Sequence, residues 1–518
     1  MKTQVLVIGG GATGTGIARD LALRGVQCIL VEQNDLNCGA SGGNHGLLHS
    51  GARYVSNDGE SAKSCRSEGN ILKQYAHHCI ENTGGFFVAV EGDDEKYIAN
   101  FPHFCNQWGL PCQSIDVKDA FDMEPSLSPK TIAVYQVEDA SIDPFKLSLE
   151  NMNHAQTLGS TYLRMHKVIG FHKEPNKIIS ADVLNMKTKE VVTIEADQFM
   201  NAAGAWAAQI ASFAGETIGM RFSKGTLLIT NDRIAHRVIN RLRPPSNGDI
   251  LVPGGTVSIL GTTSVTLQNL DTILPTIKEV DINISEGATM VPSLETVRYV
   301  RAYAGVRPLV DSNKAGSDDR SVSREYELID HKENGLENLA TITGGKLTTF
   351  RLMAEKATDL ICNRLGVKNP CTTHTTYLPD SQSCQWTEPG RSPWAWMIHP
   401  QKNDQMICEC EMVPKSSIDH ILNLFEKDVI KPGITAIGRR SRIGKGSCQG
   451  TFCSIRVANY LHDKGCLSAD EGIYHIKDFV DERWKGQRTI LWDNALIQAE
   501  IQEALHCGFL NLELETFK

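Results

Sequence analysis

The glycine-rich turn within the first 32 residues constrains the fold of this chain more than any other feature. Gly9, Gly11 and Gly14 form a G-x-G-x-x-G pattern between an apolar run that ends at Ile8 and a helical pattern of apolar residues. A second apolar run follows and ends on Glu32. The first glycine permits a tight turn, the second lets the backbone approach a pyrophosphate, and the third lets helix and strand pack closely. This order predicts a dinucleotide-binding domain in which Glu32 accepts hydrogen bonds from a ribose.

Length and charge limit the remaining possibilities. A chain of 518 residues is too long for one ordinary core, so two or three domains are expected. The formal net charge of -9 argues against a dedicated nucleic-acid binder, which would normally contain a basic domain. No secretory signal precedes the first strand, and no apolar run reaches the roughly 18 residues that a membrane span needs. The chain is therefore expected to be cytoplasmic and to reach a membrane only through a partner.

Three later stretches favour FAD over NAD. "NCGASGGNHGLLHSGARY" follows Glu32, where an NAD-binding domain would normally continue with a helix and a third strand. "ADQFMNAAGAWAA" places an apolar run before Ala203 and Gly204, which predicts a second close approach of the backbone. "LATITGGKLTTF" predicts a strand, a turn that ends at Lys346, and the start of a helix. The helix N-terminus and Lys346 would together stabilise the negative charge of a reduced flavin.

These stretches together resemble the FAD-dependent glycerol-3-phosphate dehydrogenase family, within the glycine oxidase and D-amino-acid oxidase-like class. The likeness rests on "HGLLHSGARY", "YAGVRPL" and "TGGKLTT" and covers roughly residues 1–370. It implies a mixed α/β and α+β fold, in which a Rossmann-like FAD domain (about 1–75, 140–220 and 300–370) is interleaved with an antiparallel substrate domain (about 75–140 and 220–300). It also implies a set of FAD contacts, namely Gly9, Gly11, Gly14, Glu32, Ser41, Gly46, Ala203, Gly204, Gly344, Gly345 and Lys346.

The same resemblance implies glycerol 3-phosphate as the substrate. A phosphate dianion requires fixed cations, and arginine is favoured because its fork matches two phosphate oxygens. The resemblance places Arg53 and Arg307 at the substrate, with Tyr54 and Thr263 as supporting donors.

Oxidation to dihydroxyacetone phosphate removes the hydroxyl proton and passes a hydride from C2 to FAD, so a general base should lie near that hydroxyl. His49, in "LLHSG", is the expected base because the resemblance places it near the flavin, and His45 is the alternative. Lys346 could instead hold the emerging alkoxide or the flavin pyrimidine. Lys346 and Arg307 are therefore counted with His49 as catalytic residues.

Two tight cysteine pairs near the C-terminus predict a metal or redox site. Cys408 and Cys410 lie in "MICECEM", and Cys448 and Cys453 lie in "GSCQGTFC", with a helical pattern between the pairs. In a reduced compartment such pairs indicate metal binding or redox chemistry rather than disulfides. The spacing departs from the C-x2-C knuckles of zinc ribbons and resembles the bacterioferritin-associated-ferredoxin-like [2Fe-2S] module. Zinc and four unliganded thiols stay open as alternatives.

Basic residues precede the second cysteine pair. The loop "GRRSRIGKGSCQG" contains Arg439, Arg440, Arg442 and Lys445. Two interpretations stay open: either the loop raises the cluster potential and docks an acidic partner, or it is a solvated basic loop. A connector is expected over about 371–403, followed by a small helical cluster domain with the C-terminal helices over 404–518.

A flavin dehydrogenase followed by an iron–sulfur module resembles the anaerobic members of the family. That resemblance implies two partners, a flavin-binding B subunit and a membrane-anchoring iron–sulfur C subunit, which passes electrons to quinone in anaerobic glycerol metabolism. The chain would then associate peripherally with the inner (cytoplasmic) membrane. It stays open whether FMN in such a complex binds this chain or a partner. Two other hypotheses also stay open, an FAD dehydrogenase for an amino acid or amine, and a non-catalytic electron carrier.

Overall fold

The computed structural model describes residues 1–310, 325–382, 403–425, 430–510 and 512. Within these residues the chain alternates strands and helices over its first two thirds and becomes helical after residue 414. In chain order the strands are β1 (Lys2–Ile8), β2 (Cys28–Glu32), β3 (Leu47–Leu48), β4 (Ile80–Glu81), β5 (Gly85–Val90), β6 (Gln113–Ile115), β7 (Thr131–Val137), β8 (Ala140–Ile142), β9 (Thr161–Arg164), β10 (His166–Glu174), β11 (Lys177–Asn185), β12 (Val191–Asn201), β13 (Met220–Thr230), β14 (Val238–Arg241), β15 (Ile250–Gly254), β16 (Val257–Gly261), β17 (Val265–Leu267), β18 (Tyr299–Val310), β19 (Tyr326–Asp330), β20 (Leu339–Gly344), β21 (Met406–Cys408) and β22 (Val413–Pro414).

The helices pack against these strands. In chain order they are α1 (Ala12–Leu23), α2 (Gly59–Tyr75), α3 (Glu95–Gln107), α4 (Val117–Met123), α5 (Pro144–Thr157), α6 (Ala207–Phe213), α7 (Ile277–Met290), α8 (Phe350–Leu365), α9 (Lys415–Leu424), α10 (Ile434–Arg440), α11 (Cys453–Asp463), α12 (Ala469–Gln487) and α13 (Asp493–Glu503). No helix among the described residues is long and apolar enough to cross a membrane.

The first sheet carries the dinucleotide motif. β1 lies between β2 and β12, and the parallel part continues through β9 on one side and β20 on the other. Helices α1, α5 and α8 cover one face, where apolar side chains such as Ile17, Leu21 and Ile361 are buried. Because the carboxyl ends of parallel strands meet at one edge, the loops after β1, β2, β12 and β20 come together there, which is where such sheets bind ligands.

The second sheet is mixed and mostly antiparallel. Its nine strands run in the order β17-β13-β16-β15-β14-β5-β7-β6, and β18 pairs along the length of β13. The predicted pieces over 75–140 and 220–300 supply eight of these strands, whereas β18 comes from the stretch beyond 300 that the prediction gave to the FAD domain. The interleaved architecture predicted from the sequence is present, and β18 carries Arg307 from this sheet towards the first.

The described residues from 403 onward form a separate small unit, called here the C-terminal domain. A short hairpin of β21 and β22 and the helices from α9 onward enclose their own apolar core, which includes Ile418, Ile437, Val457 and Phe479. The predicted helix between the two cysteine pairs is α9. Most of the predicted connector, residues 383–402, lies outside the described residues.

Candidate functional site

The glycine turn after β1 brings the backbone of three segments into contact. Gly9 has a φ of +113°, and a Cβ built there would lie 2.6 Å from the carbonyl oxygen of Ala202. A Cβ on Gly14 would lie 1.9 Å from the carbonyl oxygen of Gly9, so only glycine lets α1 lie this close to the turn. The turn therefore leaves the N-terminus of α1 open towards the strand edge, where a pyrophosphate would be bound by backbone amides.

Two polar side chains fix the loops around this turn. The Glu32 carboxylate accepts hydrogen bonds from the backbone amides of Gly10 (2.8 Å) and Asn34 (2.9 Å). The Ser41 hydroxyl accepts from the backbone amide of Ala12, at the first residue of α1, at 2.9 Å. Burial raises the pKa of Glu32. Both side chains face the space above the turn.

That space is a cavity of about 500 Å³, called here the main cavity. Its volume lies in the range of small-molecule and cofactor sites. Nine of the predicted FAD contacts line it, namely Gly9, Gly11, Glu32, Ser41, Ala203, Gly204, Gly344, Gly345 and Lys346. Gly14 and Gly46 are not in its wall: Gly14 packs under the turn, and Gly46 has a φ of +65° beside the carbonyl oxygen of Ile142.

Three cationic side chains predicted at the substrate enter the main cavity, each held by its own partner. Arg53 donates to the buried carboxylate of Asp249 (3.0 Å), and its other terminal nitrogen, Nη1, is buried without a partner among the described residues. Arg307 donates to the carbonyl oxygen of Thr263 (3.3 Å) and to the hydroxyl of Thr262. Lys346 donates to the hydroxyl of Ser61. Each charge is therefore fixed in direction before any ligand arrives.

Lys346 and the aromatic side chains complete the cationic end. The Lys346 ammonium donates to the hydroxyl of Ser61 at 2.8 Å and lies 4.9 Å from the ring centroid of Tyr54. The ring of His49 packs edge-on against that of Tyr54, with centroids 5.4 Å apart. The hydrogen bond and the ring contact together fix Lys346 beside the predicted base and its aromatic neighbour.

Both predicted histidines are half-buried next to these cations. Burial, and then the charges of His45, Arg53 and Lys346, lower the pKa of His49 well below 6.5. Burial and the two arginines lower the pKa of His45 to about 3, and its Nδ1 is buried without a partner in the described part of the chain. Both imidazoles are therefore neutral at pH 7, the state in which a ring nitrogen can accept a proton.

Thr263 is the one predicted substrate residue that does not reach the main cavity. Its hydroxyl accepts from the backbone amide of Thr226 (3.0 Å) and donates to the Glu279 carboxylate (3.0 Å). Thr263 is 1% exposed, so its hydroxyl is not available to a ligand. Thr262, one residue earlier, lines the cavity and contacts Arg307. The geometry thus replaces Thr263 by its neighbour.

Sequence analysis also missed the partners that hold the cations. Asp249 accepts from Arg53 and, at 2.7 Å, from Arg243, which is balanced in turn by Glu286. Asp249 lies 196 residues from Arg53 in the chain, so no local pattern links them. The one available signal was the acidic residue that precedes the apolar run "ILVPG".

The four predicted cysteine ligands converge at the start of the C-terminal domain. The Cys408 and Cys410 sulfurs lie 3.6 Å apart, and those of Cys410 and Cys448 lie 3.7 Å apart. Hydrogen bonds from Cys410 and then Cys453 lower the pKa of the Cys448 thiol, which places Cys453 in the same group. Two thiolates on one tetrahedral metal at about 2.3 Å would be separated by about 3.8 Å.

The four thiols form one group of neighbouring sulfurs. Among the described residues, no three His, Cys, Asp or Glu side chains are disposed around one metal position. The sulfurs instead form a chain of neighbouring contacts. Four thiolates are the ligand set of a [2Fe-2S] cluster, in which each iron takes two, and also of a structural zinc site.

Two arginines of the basic loop before the second cysteine pair are buried in ion pairs with distant acids. Arg440 binds the Asp35 carboxylate through both terminal nitrogens (2.7 and 2.9 Å), and Arg442 pairs with Glu411. Both arginines are buried. Asp35 lies directly after β2, so the loop joins the C-terminal domain to the first sheet. The expectation of a solvated loop is therefore wrong for Arg440 and Arg442, and docking of an acidic partner and an effect on the cluster potential stay predictions.

Comparison with protein families gives the context of this site. Residues 4–360 match the family model described as FAD dependent oxidoreductase, DAO. The A subunit of the anaerobic glycerol-3-phosphate dehydrogenase of Escherichia coli (strain K12) is 41% identical over 536 aligned residues, which cover 99% of this chain and 98% of the relative. The A1 subunit of the anaerobic glycerol-3-phosphate dehydrogenase of Haloferax volcanii is 35% identical, with 98% of this chain and 90% of the relative covered.

Solved structures share the fold at lower identity. The glycerol-3-phosphate dehydrogenase of Bacillus halodurans complexed with FAD has a TM-score of 0.65 and 21% identity. The match covers 95% of this chain and 97% of the chain in that structure. The glycine oxidase of Geobacillus kaustophilus has a TM-score of 0.59 and 17% identity, and it covers 73% of this chain and 98% of its own. These likenesses bear on the fold alone, and they match the interleaved two-sheet architecture.

Proposed function

Because the chain belongs to the FAD-dependent oxidoreductase family and, within it, to the family of anaerobic glycerol-3-phosphate dehydrogenase A subunits, we propose that it oxidises sn-glycerol 3-phosphate to dihydroxyacetone phosphate with FAD in the main cavity. The observation that carries the proposal is the convergence of Arg53, Arg307 and Lys346 on one cavity that also contains the glycine turn. Substrate and cofactor phosphates would then bind at separate ends of the same space.

Phosphate binding is assigned to the two arginines. The buried Nη1 of Arg53 lacks a partner within the described residues, while Asp249 keeps the guanidinium in place. A phosphate oxygen would satisfy that donor, and charge-assisted hydrogen bonds of this kind contribute about 1.5–3 kcal/mol each. Arg307, held by Thr262 and the carbonyl oxygen of Thr263, supplies a second fork.

Proton transfer is assigned to His49. Its imidazole is neutral and half-buried next to Lys346 and Arg53, so it can take the hydroxyl proton of C2 on an unprotonated ring nitrogen. Lys346 lies beside the same group and stabilises the developing alkoxide or the flavin pyrimidine by its charge. FAD, when bound, accepts the hydride from C2.

The four cysteines are assigned to a [2Fe-2S] cluster. Their sulfur contacts of 3.6 and 3.7 Å have the spacing of thiolates that share a metal. A [2Fe-2S] cluster, when bound, carries electrons one at a time. The proposal extends to a quinone-linked path through a partner flavin subunit and then through an iron–sulfur subunit that anchors the complex, with this chain peripheral to the membrane. The proposal places no FMN site in the main cavity.

An anaerobic absorbance titration of the purified chain tests the proposal. Addition of sn-glycerol 3-phosphate should bleach the flavin band and then change the spectrum of the iron–sulfur centre, whereas glycerol, which lacks the phosphate, should do neither. Bleaching without an iron signal would assign the cysteines to zinc or leave them unfilled. No bleaching of the FAD-loaded chain would refute the substrate, and bleaching by an amino acid or amine would then identify the competing dehydrogenase. If no polyol phosphate, amino acid or amine bleaches the flavin, the result favours the non-catalytic electron carrier.

Iron and sulfide analysis separates the cluster from the flavin. Cys410→Ser should lose the iron and its spectrum while flavin bleaching by the substrate is retained. Cys466→Ser, in the same domain but outside the group of four, is the matched control and should keep both. Equal iron content in the two variants would contradict the ligand assignment.

A reconstitution experiment tests the electron path. The chain alone with its substrate should reduce an artificial dye but not a quinone, and quinone reduction should appear only when membrane-anchored partner subunits are added. Quinone reduction by the isolated chain would contradict the proposed path.

A further inference from the structure

A second cavity lies where the C-terminal domain meets the two sheets, and it is called here the interdomain cavity. Its volume is about 440 Å³, close to that of the main cavity. Cys38, His45 and Trp206 belong to both walls, so the two spaces are neighbours. At its other end it reaches Gln449, the residue after Cys448. The interdomain cavity thus lies between the main cavity and the cysteine group, and the proposed oxidation uses none of its cations.

The interdomain cavity is strongly cationic. Six cationic side chains line it against two carboxylates, the cations being Arg301, Arg439, Arg442, Lys445, Arg483 and Lys485 and the acids Asp143 and Glu482. Some of the charges are paired: Arg442 with Glu411 and Lys485 with Glu482. The remaining cations have no carboxylate of their own in the wall.

Two of these cations lie against aromatic rings in place of acids. The Lys445 ammonium is 4.6 Å from the ring centroid of Phe145, and the Arg483 guanidinium is 4.9 Å from that of Phe479. Neither side chain has a hydrogen-bond acceptor among the described residues. Arg301 donates to the carbonyl oxygen of Glu482 at 3.3 Å, and its Nε is buried with no partner in the described part of the chain.

Burial makes this arrangement costly in free energy. Burial, assisted by the charges of Arg442 and Arg483 and opposed by Asp143, lowers the pKa of Lys445 to about 8. Burial, with Arg301 and Arg439, lowers the pKa of Arg483 to about 9. Both side chains are half-buried, and charges partly removed from water without an opposite charge destabilise a fold, so a bound anion would recover that free energy.

The rest of the wall is aromatic and aliphatic. Phe145, Trp206, Tyr303 and Phe479 line it together with Ile259 and Pro275. A site that combines an apolar, aromatic wall with a few converging cations is typical of an organic ligand with a planar body and an anionic group. A simple inorganic anion would leave the aromatic wall unused.

We propose that the interdomain cavity binds an aromatic phosphate ester of mononucleotide size, with its phosphate on Arg483, Lys445 and Arg301 and its ring system against the aromatic wall. Two kinds of ligand have this chemistry: a flavin mononucleotide held as a cofactor, and an adenine mononucleotide held as an effector. This inference does not depend on the substrate of the main cavity.

Calorimetric titration of the FAD-loaded full chain tests the proposal. The chain is first freed of small anions at high salt, and excess FAD keeps the main cavity filled. FMN, AMP and inorganic phosphate are then titrated separately. FMN or AMP should bind at one per chain, more tightly than inorganic phosphate and more weakly as salt rises. Tighter binding of FMN would identify the cofactor source, and tighter binding of AMP the effector source.

Variants locate the binding. Arg483→Gln and Lys445→Gln each remove one charged donor and should weaken binding by at least about tenfold. Arg488→Gln changes an exposed arginine outside the cavity wall and should bind as the unmodified chain does. If neither mononucleotide binds, or if Arg483→Gln and Arg488→Gln bind equally well, the proposal is overturned.

Thermal unfolding gives an independent measurement. The ligand-free Arg483→Gln chain should melt no lower than the unmodified chain, because one half-buried charge without an opposite charge is removed. A purely structural arginine would behave oppositely, so a clearly lower melting temperature would overturn the electrostatic basis of the proposal.

Discussion

The main cavity and the interdomain cavity both concentrate cations, but the chain holds these cations in different ways. In the main cavity Arg53 has Asp249, Arg307 has the two neighbouring threonines, and Lys346 has Ser61. In the interdomain cavity Lys445 and Arg483 lie on aromatic rings without an acceptor among the described residues.

The difference separates two uses of buried charge. A cation held by its own chain is fixed in direction, which is what a reaction needs, because misplacement by about 1 Å can cost two orders of magnitude in rate. A cation without a partner leaves free energy that only a ligand can recover, which favours binding over catalysis. Perturbing the main cavity should therefore change turnover, whereas perturbing the interdomain cavity should change affinity for a second ligand.

The largest effect is expected at His49. His49→Asn should lower kcat by about a hundred- to ten-thousand-fold, the usual contribution of a general base, while FAD stays bound. Anaerobic stopped-flow reduction of the flavin by sn-glycerol 3-phosphate measures the step directly. A variant that keeps its FAD and retains near-full turnover would remove the base assignment, and the same measurement on His45→Asn would then test the alternative.

The pH profile sharpens the same assignment. A base acts when unprotonated, so activity is lost as pH falls through its pKa. Because burial and then the neighbouring charges lower the pKa of His49 well below 6.5, kcat/KM should stay level from pH 8 down through pH 6.5 and fall only below that. If the His49→Asn variant still loses activity at low pH, that loss comes from protonation of the substrate phosphate or of another group. A His49-dependent fall centred at or above pH 6.5 would contradict the neutral imidazole.

The next largest effect is expected at Arg307. Arg307→Ala should lower kcat/KM by roughly ten- to several-hundred-fold, because charge-assisted hydrogen bonds to phosphate are lost. Arg307→Lys keeps the charge but not the fork, so it should recover part of the loss. Steady-state kinetics with an artificial acceptor measures both. Equal activity of the alanine and unmodified chains would place the phosphate elsewhere in the cavity.

A smaller effect is expected at Asp249, which positions Arg53 without touching the substrate. Asp249→Asn keeps the shape but removes the charge that holds the guanidinium, so KM should rise about tenfold with kcat little changed. Glu286→Gln is the matched control, because Glu286 shares Arg243 with Asp249 but does not contact Arg53. If both variants raise KM equally, Arg243 and not Arg53 is responsible.

The parts of the site that could be predicted from the sequence depend on local backbone chemistry. Gly9 and Glu32 lie in one strand–helix–strand unit, and the roles of such glycines follow from sterics alone. The basic loop was misjudged because its partner Asp35 lies 405 residues from Arg440. A charge run indicates solvation only when no distant acid pairs with it, and a single sequence does not contain that information.

Neighbouring threonines show the same limit at the scale of one residue. The sequence "GTTS" offers two hydroxyls, and which of them faces the cavity depends on how the chain leaves β16. The backbone there directs Thr263 to Glu279 and Thr262 to Arg307. For that reason Thr262, and not Thr263, lies in the wall of the main cavity.

Replacement of each threonine by valine should give the smallest effects and separates the two roles. Thr262→Val removes one hydrogen bond that the charged Arg307 guanidinium donates, but the carbonyl oxygen of Thr263 still holds the side chain, so kcat/KM should fall only about two- to tenfold with stability unchanged. Thr263→Val leaves the Thr226 amide buried without its acceptor, so the free energy of unfolding should fall by about 1–3 kcal/mol while the folded enzyme keeps its KM. Denaturant unfolding and steady-state kinetics on both variants measure the two quantities independently. The opposite pattern, with KM raised only in Thr263→Val, would restore the original assignment and mean that the threonine hydroxyls exchange roles when the substrate binds.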